Sequence, residues 1–150
     1  MTPRPTSGSS TPSRRNGDAT DAHPLIVYFD GSCPLCSAEI GHYARLRGSE
    51  RLCFVDVSVP GAQTGADLLH TDAMRRFHVR QANGQLLSGA RAFVAIWETL
   101  PAWRPAARLA RLPGVTALLD IAYRLFLSLR PLLSRLAAAL GAQPRRYRVR

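Results

Sequence analysis

The stretch that decides the fold reads Leu25-Ile26-Val27-Tyr28-Phe29-Asp30-Gly31-Ser32-Cys33-Pro34-Leu35-Cys36. Its first five residues are apolar and rich in β-branched and aromatic types, which predicts a buried strand. The next three residues are typical of a tight turn. Cys33 then falls where a helix N-cap lies, and Pro34 takes the first helical position, where a missing N–H costs nothing. The pattern predicts a helix over residues 35–47 with a C-x-x-C pair at its start.

The position of the two cysteines has a chemical consequence. A helix N-terminus presents unpaired N–H groups and roughly half a positive charge, which stabilises a thiolate over a thiol. The thiolate is the nucleophile of disulfide exchange. We expect Cys33, at the helix tip and nearer solvent, to be the attacking cysteine. We expect Cys36, one turn deeper, to be the resolving cysteine that releases the reduced substrate.

The motif Tyr28-Phe29-Asp30-Gly31-x-Cys33-x-x-Cys36 resembles the signature of the DCC family of predicted thiol-disulfide oxidoreductases. Other segments that look like this family follow at residues 54–57, 84–93, 100–101, 112–114 and 123–124. The resemblance covers about residues 25–130. It implies a thioredoxin-like fold, redox activity and a place for Asp30 in the site.

Beyond the motif, the sequence predicts the element order β-α-β-α-β-β-α. The later elements are a strand over 51–57, a helix over 65–77 with Leu69 inward, a hairpin with a type I′ turn at Asn83-Gly84, and a helix over 89–100. We assign the chain to the α/β class, as a thioredoxin-like core with an added C-terminal helical extension. One departure from that fold is that residues 74–77, just before the third strand, lack the cis-proline with which such enzymes dock substrate.

Asp30 is a third catalytic candidate beside the two cysteines, and Gly31, Pro34 and Glu39 are candidates for supporting roles. Asp30 either accepts the proton of Cys36 or acts only as a turn residue. Gly31 is expected to supply a backbone conformation that other residues resist. Glu39, one turn after Cys36, either tunes that thiol or only complements the helix dipole.

Cys53 lies in the middle of the second predicted strand, and we expect an inert buried thiol there. Cys33, Cys36 and Cys53 with a histidine would make a zinc site on paper. A structural zinc site usually brings a second close pair of ligands, which the chain lacks, so no metal is expected.

The length of 150 residues fits one domain with tails. We predict a disordered N-terminal tail over 1–23, a redox core over 24–100, a helical extension over 101–140 and a basic tail over 141–150. Three cysteines argue against a disulfide-stapled secreted scaffold. The first 24 residues contain no continuous apolar run typical of a secretory signal, so we expect a cytoplasmic protein.

The net charge of +10 is the difference between 20 basic residues, all of them arginine, and 10 acidic residues. Residues 25–103 hold seven Arg and seven acids, whereas residues 104–140 hold six Arg and one Asp. Residues 115–140 predict an amphipathic helix, bent or broken near Pro131. Its apolar face packs on the core, lies at a membrane surface or meets a partner; the sequence leaves all three open.

The function indicated is a thiol-disulfide oxidoreductase that acts on a protein or glutathione-like substrate, with glutathione or a reductase as electron donor. It needs no cofactor beyond its own dithiol. The alternative is a non-catalytic module that uses residues 104–150 at a membrane or on a partner. Nucleic-acid binding is not expected, because the basic tail has no interleaved aromatic residue beyond Tyr147 and the chain shows no recognition fold.

Overall fold

Four strands and five α-helices make up the part of the chain that the structure, a computed structural model, describes: residues 24–141. The strands are β1 (Leu25–Phe29), β2 (Leu52–Asp56), β3 (His78–Arg80) and β4 (Leu86–Ser88). The helices are α1 (Pro34–Tyr43), α2 (His70–Arg75), α3 (Ala90–Thr99), α4 (Arg104–Ala110) and α5 (Val115–Ala139). The predicted disordered tail, and all but the first residue of the predicted basic tail, lie outside these residues.

The sheet has the strand order β2-β1-β3-β4. Strand β1 pairs in parallel with β2, where Phe29 stands opposite Asp56, and antiparallel with β3, where Val27 stands opposite Val79. Strand β4 pairs antiparallel with β3. This is the thioredoxin-like arrangement, so the predicted fold class and element order are confirmed.

Both faces of the sheet are covered by packed side chains. Successive side chains of β1 point to opposite faces and so contribute to both. Val27 and Phe29 join the larger core with Ile40 of α1 and Ile96 of α3. Tyr28 lies in the smaller cluster on the other face. The carboxyl end of β1 therefore meets the start of α1 between two packed layers, which gives the C-x-x-C pair a rigid base.

Several predicted boundaries are wrong where glycines take the left-handed conformation. Helix α1 ends at Tyr43, and tighter turns lead from there to Gly48, which has φ +94°. The predicted helix over 65–77 shortens to α2 because Gly65 has φ +89°, and Arg80 bonds the carbonyl oxygen of Thr64 at 3.0 Å. Leu69, expected inward, is 67% exposed.

The hairpin between β3 and β4 is present, but its turn is not type I′. A type I′ turn needs positive φ at both central residues. Within residues 24–141 only glycines have positive φ, so Asn83 does not, whereas Gly84 has φ +85°. The Gly84 N–H donates to the carbonyl of Gln81 at 2.9 Å, a pattern of a longer loop closed by one left-handed glycine.

The extension packs α5 against α1 and α3 and runs without a break through Pro131. Its core-facing side is half-buried and includes Tyr123, Phe126, Arg130 and Ser134. The apolar side faces outward: Leu118, Ile121, Leu125, Leu129, Leu132 and Leu136 are between 44% and 65% exposed. Packing of that apolar side on the core, one of the three expectations, is therefore wrong.

Among residues 24–141, no single helix has the length and the apolar composition needed to span a bilayer. One pair of segments, Pro101–Ala110 and Val115–Ala139, passes that test together, with a bend of 106° between them.

Candidate active site

The turn after β1 is held by a buried carboxylate on the neighbouring strand. Asp56, at the end of β2, accepts a hydrogen bond from the Gly31 N–H at 3.0 Å and from the Ser58 N–H at 2.9 Å. A Cβ atom at position 31 would overlap the Asp56 carboxylate. Glycine is thus required at position 31 because the Asp56 carboxylate leaves no room for a side chain. The predicted reason, a backbone conformation that other residues resist, is wrong, because the φ of Gly31 is outside the left-handed region.

Asp56 is a site-building residue that the sequence analysis did not select. Its carboxylate is 3% exposed, and its Oδ1 also accepts the Ser58 hydroxyl at 2.6 Å. An acidic residue inside an otherwise apolar strand was the available signal, because ionised side chains are rarely buried without partners.

Cys33 stands at the N-cap of α1, with φ −86° and ψ 117°, and Pro34 opens the helix as predicted. The Ser37 N–H donates to the Cys33 carbonyl at 3.0 Å, the first bond of the helix. The Ser37 hydroxyl donates to the Gly31 carbonyl at 2.9 Å, which joins the turn to the helix. The backbone of Cys33, the cysteine expected to attack, is therefore fixed by hydrogen bonds from the turn and from the helix.

Helix α5 brings two further side chains to the pair, and neither was predicted. The Ser134 hydroxyl lies 3.4 Å from the Cys33 Sγ atom. The Arg130 guanidinium forms an ion pair with Asp30, with 2.6 Å between Nη2 and Oδ2, and both side chains are largely buried. Sequence analysis placed Arg130 and Ser134 on a polar helix face but had no signal for what that face meets.

The expected order of exposure of the two cysteines is reversed. Cys33 is only 5% exposed, because α5 covers the helix tip with Ser134. Cys36 is partly exposed. The nucleophile expected from its place at the helix N-terminus is thus shielded by a helix that follows a hundred residues later.

The two thiols have opposite acidities. The pKa of Cys33 falls to about 4, chiefly because the Cys36 thiol donates a hydrogen bond to it; burial opposes this, and Ser134 and Arg130 add to the lowering. The pKa of Cys36 is raised, because its proton is held by Cys33, because its surroundings partly desolvate it and because the neighbouring thiolate is negative. At neutral pH the pair therefore consists of a thiolate at Cys33 and a thiol at Cys36.

Cys36, Asp30 and Glu39 line one cavity of about 30 Å³, which is room for about one water molecule. Burial raises the pKa of Glu39. Its Oε1 accepts the Tyr43 hydroxyl at 2.8 Å, and that hydroxyl accepts the Trp97 indole N–H at 3.1 Å. Glu39 is therefore oriented by a hydrogen-bond chain while it faces the cavity shared with Cys36.

Asp30 is engaged on both of its oxygens. Oδ1 accepts the Ser32 N–H at 2.9 Å, and Oδ2 pairs with Arg130. Asp30 thus closes the turn, which is the structural role considered for it, and it also lines the cavity beside Cys36.

The loop before β3 forms another wall of this cavity, in the position where thioredoxin-fold enzymes carry their cis-proline. Residues 24–141 contain no cis peptide bond. The Phe77 N–H donates to the Tyr123 hydroxyl at 3.0 Å, and the Met74 carbonyl accepts from Arg130 at 3.2 Å. Tyr123 and Arg130 of α5 thus form hydrogen bonds with backbone groups on the side of the site where substrate docks in thioredoxin-fold enzymes.

Cys53 stands apart from this arrangement. It pairs with Ile26 in the parallel ladder, four residues before Asp30, which is about 13 Å along the strand. It is partly exposed, so the expectation of a buried thiol is wrong. Within the part of the chain that the structure describes, no three His, Cys, Asp or Glu side chains are placed to hold a metal ion.

The sequence model of one protein family, described as DCC1-like thiol-disulfide oxidoreductase, matches residues 27–136. The match runs from β1 through the two cysteines and includes Arg130 and Ser134 of α5. The family description indicates thiol-disulfide oxidoreductase activity. Comparison with curated proteins and with solved structures found no match.

Proposed function

Because the chain belongs to the DCC1-like thiol-disulfide oxidoreductase family, we propose that its Cys33–Cys36 pair exchanges electrons with a disulfide or dithiol substrate. The observation that carries this is the geometry of the pair: Cys33 lies at the N-cap of α1 with Cys36 one turn along the helix, and this arrangement lowers the pKa of Cys33 and raises that of Cys36. A stable thiolate next to a thiol that can resolve it is what two-step disulfide exchange requires.

In the reductive direction, the Cys33 thiolate attacks one sulfur of the substrate disulfide. A mixed disulfide forms between Cys33 and the substrate, and the other substrate sulfur leaves as a thiolate that takes up a proton. Cys36 then loses its proton and attacks Cys33 Sγ, which releases the second substrate thiolate. The substrate gains two electrons, and the protein is left with a Cys33–Cys36 disulfide; the oxidative direction is the reverse.

Glu39 is the proton acceptor that we assign to the resolving step. In the reduced pair, the proton of Cys36 is held by the Cys33 thiolate. That charge disappears when Cys33 enters the mixed disulfide, so Cys36 becomes easier to deprotonate. Glu39 lines the same cavity and has a raised pKa, which makes its carboxylate a better proton acceptor than an exposed one.

Asp30 is then a positioning residue. Its ion pair with Arg130 holds the guanidinium beside Cys33, where it favours the thiolate. A stabilised thiolate favours the reduced dithiol, so the Cys33–Cys36 disulfide is expected to be a comparatively strong oxidant.

The test is exchange of the reduced protein with glutathione disulfide and with a small protein disulfide, followed by mass spectrometry. We expect Cys33→Ser to abolish exchange, Cys36→Ser to accumulate the mixed disulfide at Cys33, and the control Cys53→Ser to behave as the wild type. Full exchange by the Cys33→Ser protein, or no exchange by the wild type with either disulfide, would contradict the proposal.

A further inference from the structure

The outward side of α5 carries a continuous apolar surface. Its members follow one another at spacings of three or four residues, which places them on one side of the helix. We name it the leucine face: Leu118, Ile121, Leu125, Leu129, Leu132 and Leu136, each between 44% and 65% exposed. An exposed apolar surface of this kind marks a site of interaction.

The orientation of α5 is set by its other side. The Tyr123 hydroxyl accepts the Phe77 N–H at 3.0 Å, Arg130 pairs with Asp30 at 2.6 Å, and Ser134 lies 3.4 Å from Cys33. Rotating the helix to bury the leucine face would break all three contacts. The leucine face is therefore outward because the opposite side of α5, which carries Tyr123, Arg130 and Ser134, is committed to the core and the site.

The charge around the leucine face identifies what it meets. Arg124 and Arg135 are exposed along one margin of the leucine face. The one acid among residues 104–140 is Asp120, on the half-buried side of α5. A second copy of the chain would bring a like-charged surface to this one, whereas anionic lipid headgroups would be attracted to it.

We propose that the leucine face docks on an anionic lipid bilayer, with α5 lying in the interface. The leucine side chains enter the boundary between headgroups and acyl chains, and the long side chains of Arg124 and Arg135 reach the phosphates. Because the same helix covers Cys33 on its other side, docking holds the redox pair about one helix diameter, ~10 Å, from the lipid surface.

The experiment is co-sedimentation of the full chain with vesicles of phosphatidylglycerol and phosphatidylcholine, and with vesicles of phosphatidylcholine alone. The test variant is Ile121→Gln/Leu125→Gln/Leu132→Gln, which keeps every arginine and changes only exposed side chains. The matched control is Leu69→Gln, because Leu69 is 67% exposed but lies at the start of α2.

We expect the wild type and the Leu69→Gln control to bind the anionic vesicles, with weaker binding in high salt and to the neutral vesicles. The partition coefficient of the triple variant should fall about tenfold or more. Three apolar side chains that would enter the bilayer are then polar amides. Unchanged circular dichroism of the triple variant shows that it is folded.

Three results would overturn the proposal. One is that the wild type does not sediment with anionic vesicles. Another is that the triple variant binds as well as the wild type, which would make arginine charge alone responsible. The third is that the lipid-free wild type is a dimer by sedimentation velocity and the triple variant a monomer, which would assign the leucine face to contact between copies of the chain.

Discussion

Arg130 and Asp30 lie a hundred residues apart in the chain, and their side chains form an ion pair with 2.6 Å between Nη2 and Oδ2. Through this contact the last helix of the fold is joined to the turn that carries Cys33. Four residues further along α5, Ser134 reaches the sulfur itself. Side chains of the C-terminal extension therefore contact both the turn and the sulfur of Cys33.

Replacing Ser134 by alanine is expected to raise the pKa of Cys33, because the hydroxyl lies 3.4 Å from the sulfur and stabilises its thiolate. The measurement is the pH dependence of Cys33 alkylation in the reduced protein. Ser128→Ala is a matched control, since the Ser128 hydroxyl is exposed and bonds only the Arg124 carbonyl among the described residues. Equal pKa values in the two variants would contradict the role of Ser134.

Replacing Ser134 by alanine should also change the reduction potential of the Cys33–Cys36 disulfide. A thiolate that is less stable in the reduced protein makes the Cys33–Cys36 disulfide a weaker oxidant. Each unit by which the pKa of Cys33 rises, while it stays below the working pH, should make the potential about 30 mV more negative. Equilibration of the Ser134→Ala and wild-type proteins with glutathione buffers measures the difference, and a shift to a less negative potential would refute the link.

Glu39→Gln is expected to slow resolution of the mixed disulfide by roughly a hundredfold, the scale of a lost general base. The first attack should be unaffected, because Glu39 does not contribute to the lowered pKa of Cys33. Stopped-flow mixing of a preformed mixed disulfide at Cys33 would separate the two steps. The control is Glu98→Gln, an exposed carboxylate paired with Arg111 at 2.8 Å. If both variants resolve at the wild-type rate, Glu39 is not the proton acceptor.

The stability of the reduced protein should depend on pH in a direction set by the two thiols. The pKa of Cys33 is about 4 in the folded protein and about 8.5 in an unfolded chain. Between these values the unfolded state binds the extra proton, so the free energy of unfolding rises with pH. Above about pH 8.5, the raised pKa of Cys36 reverses the effect, because the folded state then keeps a proton that the unfolded state loses.

Urea unfolding at pH 5 and pH 8 tests this prediction. The difference in the free energy of unfolding between the reduced wild type and Cys33→Ser should grow from pH 5 to pH 8. Cys36 is protonated in both folded and unfolded states over most of this range, so it does not obscure the comparison. A difference that stays constant with pH would show that Cys33 is not a stabilised thiolate.

Gly31→Ala should destabilise the fold by about 1–3 kcal/mol, because the new Cβ overlaps the buried Asp56 carboxylate. A double-mutant cycle with Asp56→Ala checks the cause. With the carboxylate removed, the cost of Gly31→Ala should shrink, since the two sites are in contact. Additive costs would mean that position 31 is sensitive for another reason.

The sequence by itself determined the centre of this fold. The apolar run of β1, the turn residues, Cys33 at the N-cap and Pro34 at the helix start all act on close neighbours in the chain. The element order and the thioredoxin-like sheet follow from the same local patterns together with the resemblance of the motif to a family. Gly65 shows where local patterns failed, because its left-handed backbone and the contacts of Arg80 shortened a helix that composition favoured.

Only the tertiary structure decided what surrounds the cysteines. Periodicity of 3.6 residues shows which side chains of α5 share a face, but not which face meets the protein. Burying the leucine face was the simpler expectation, yet the half-buried side holds Arg130 and Ser134 because Asp30 and Cys33 offer them partners. Those partners lie about a hundred residues earlier in the chain, beyond the reach of any local pattern.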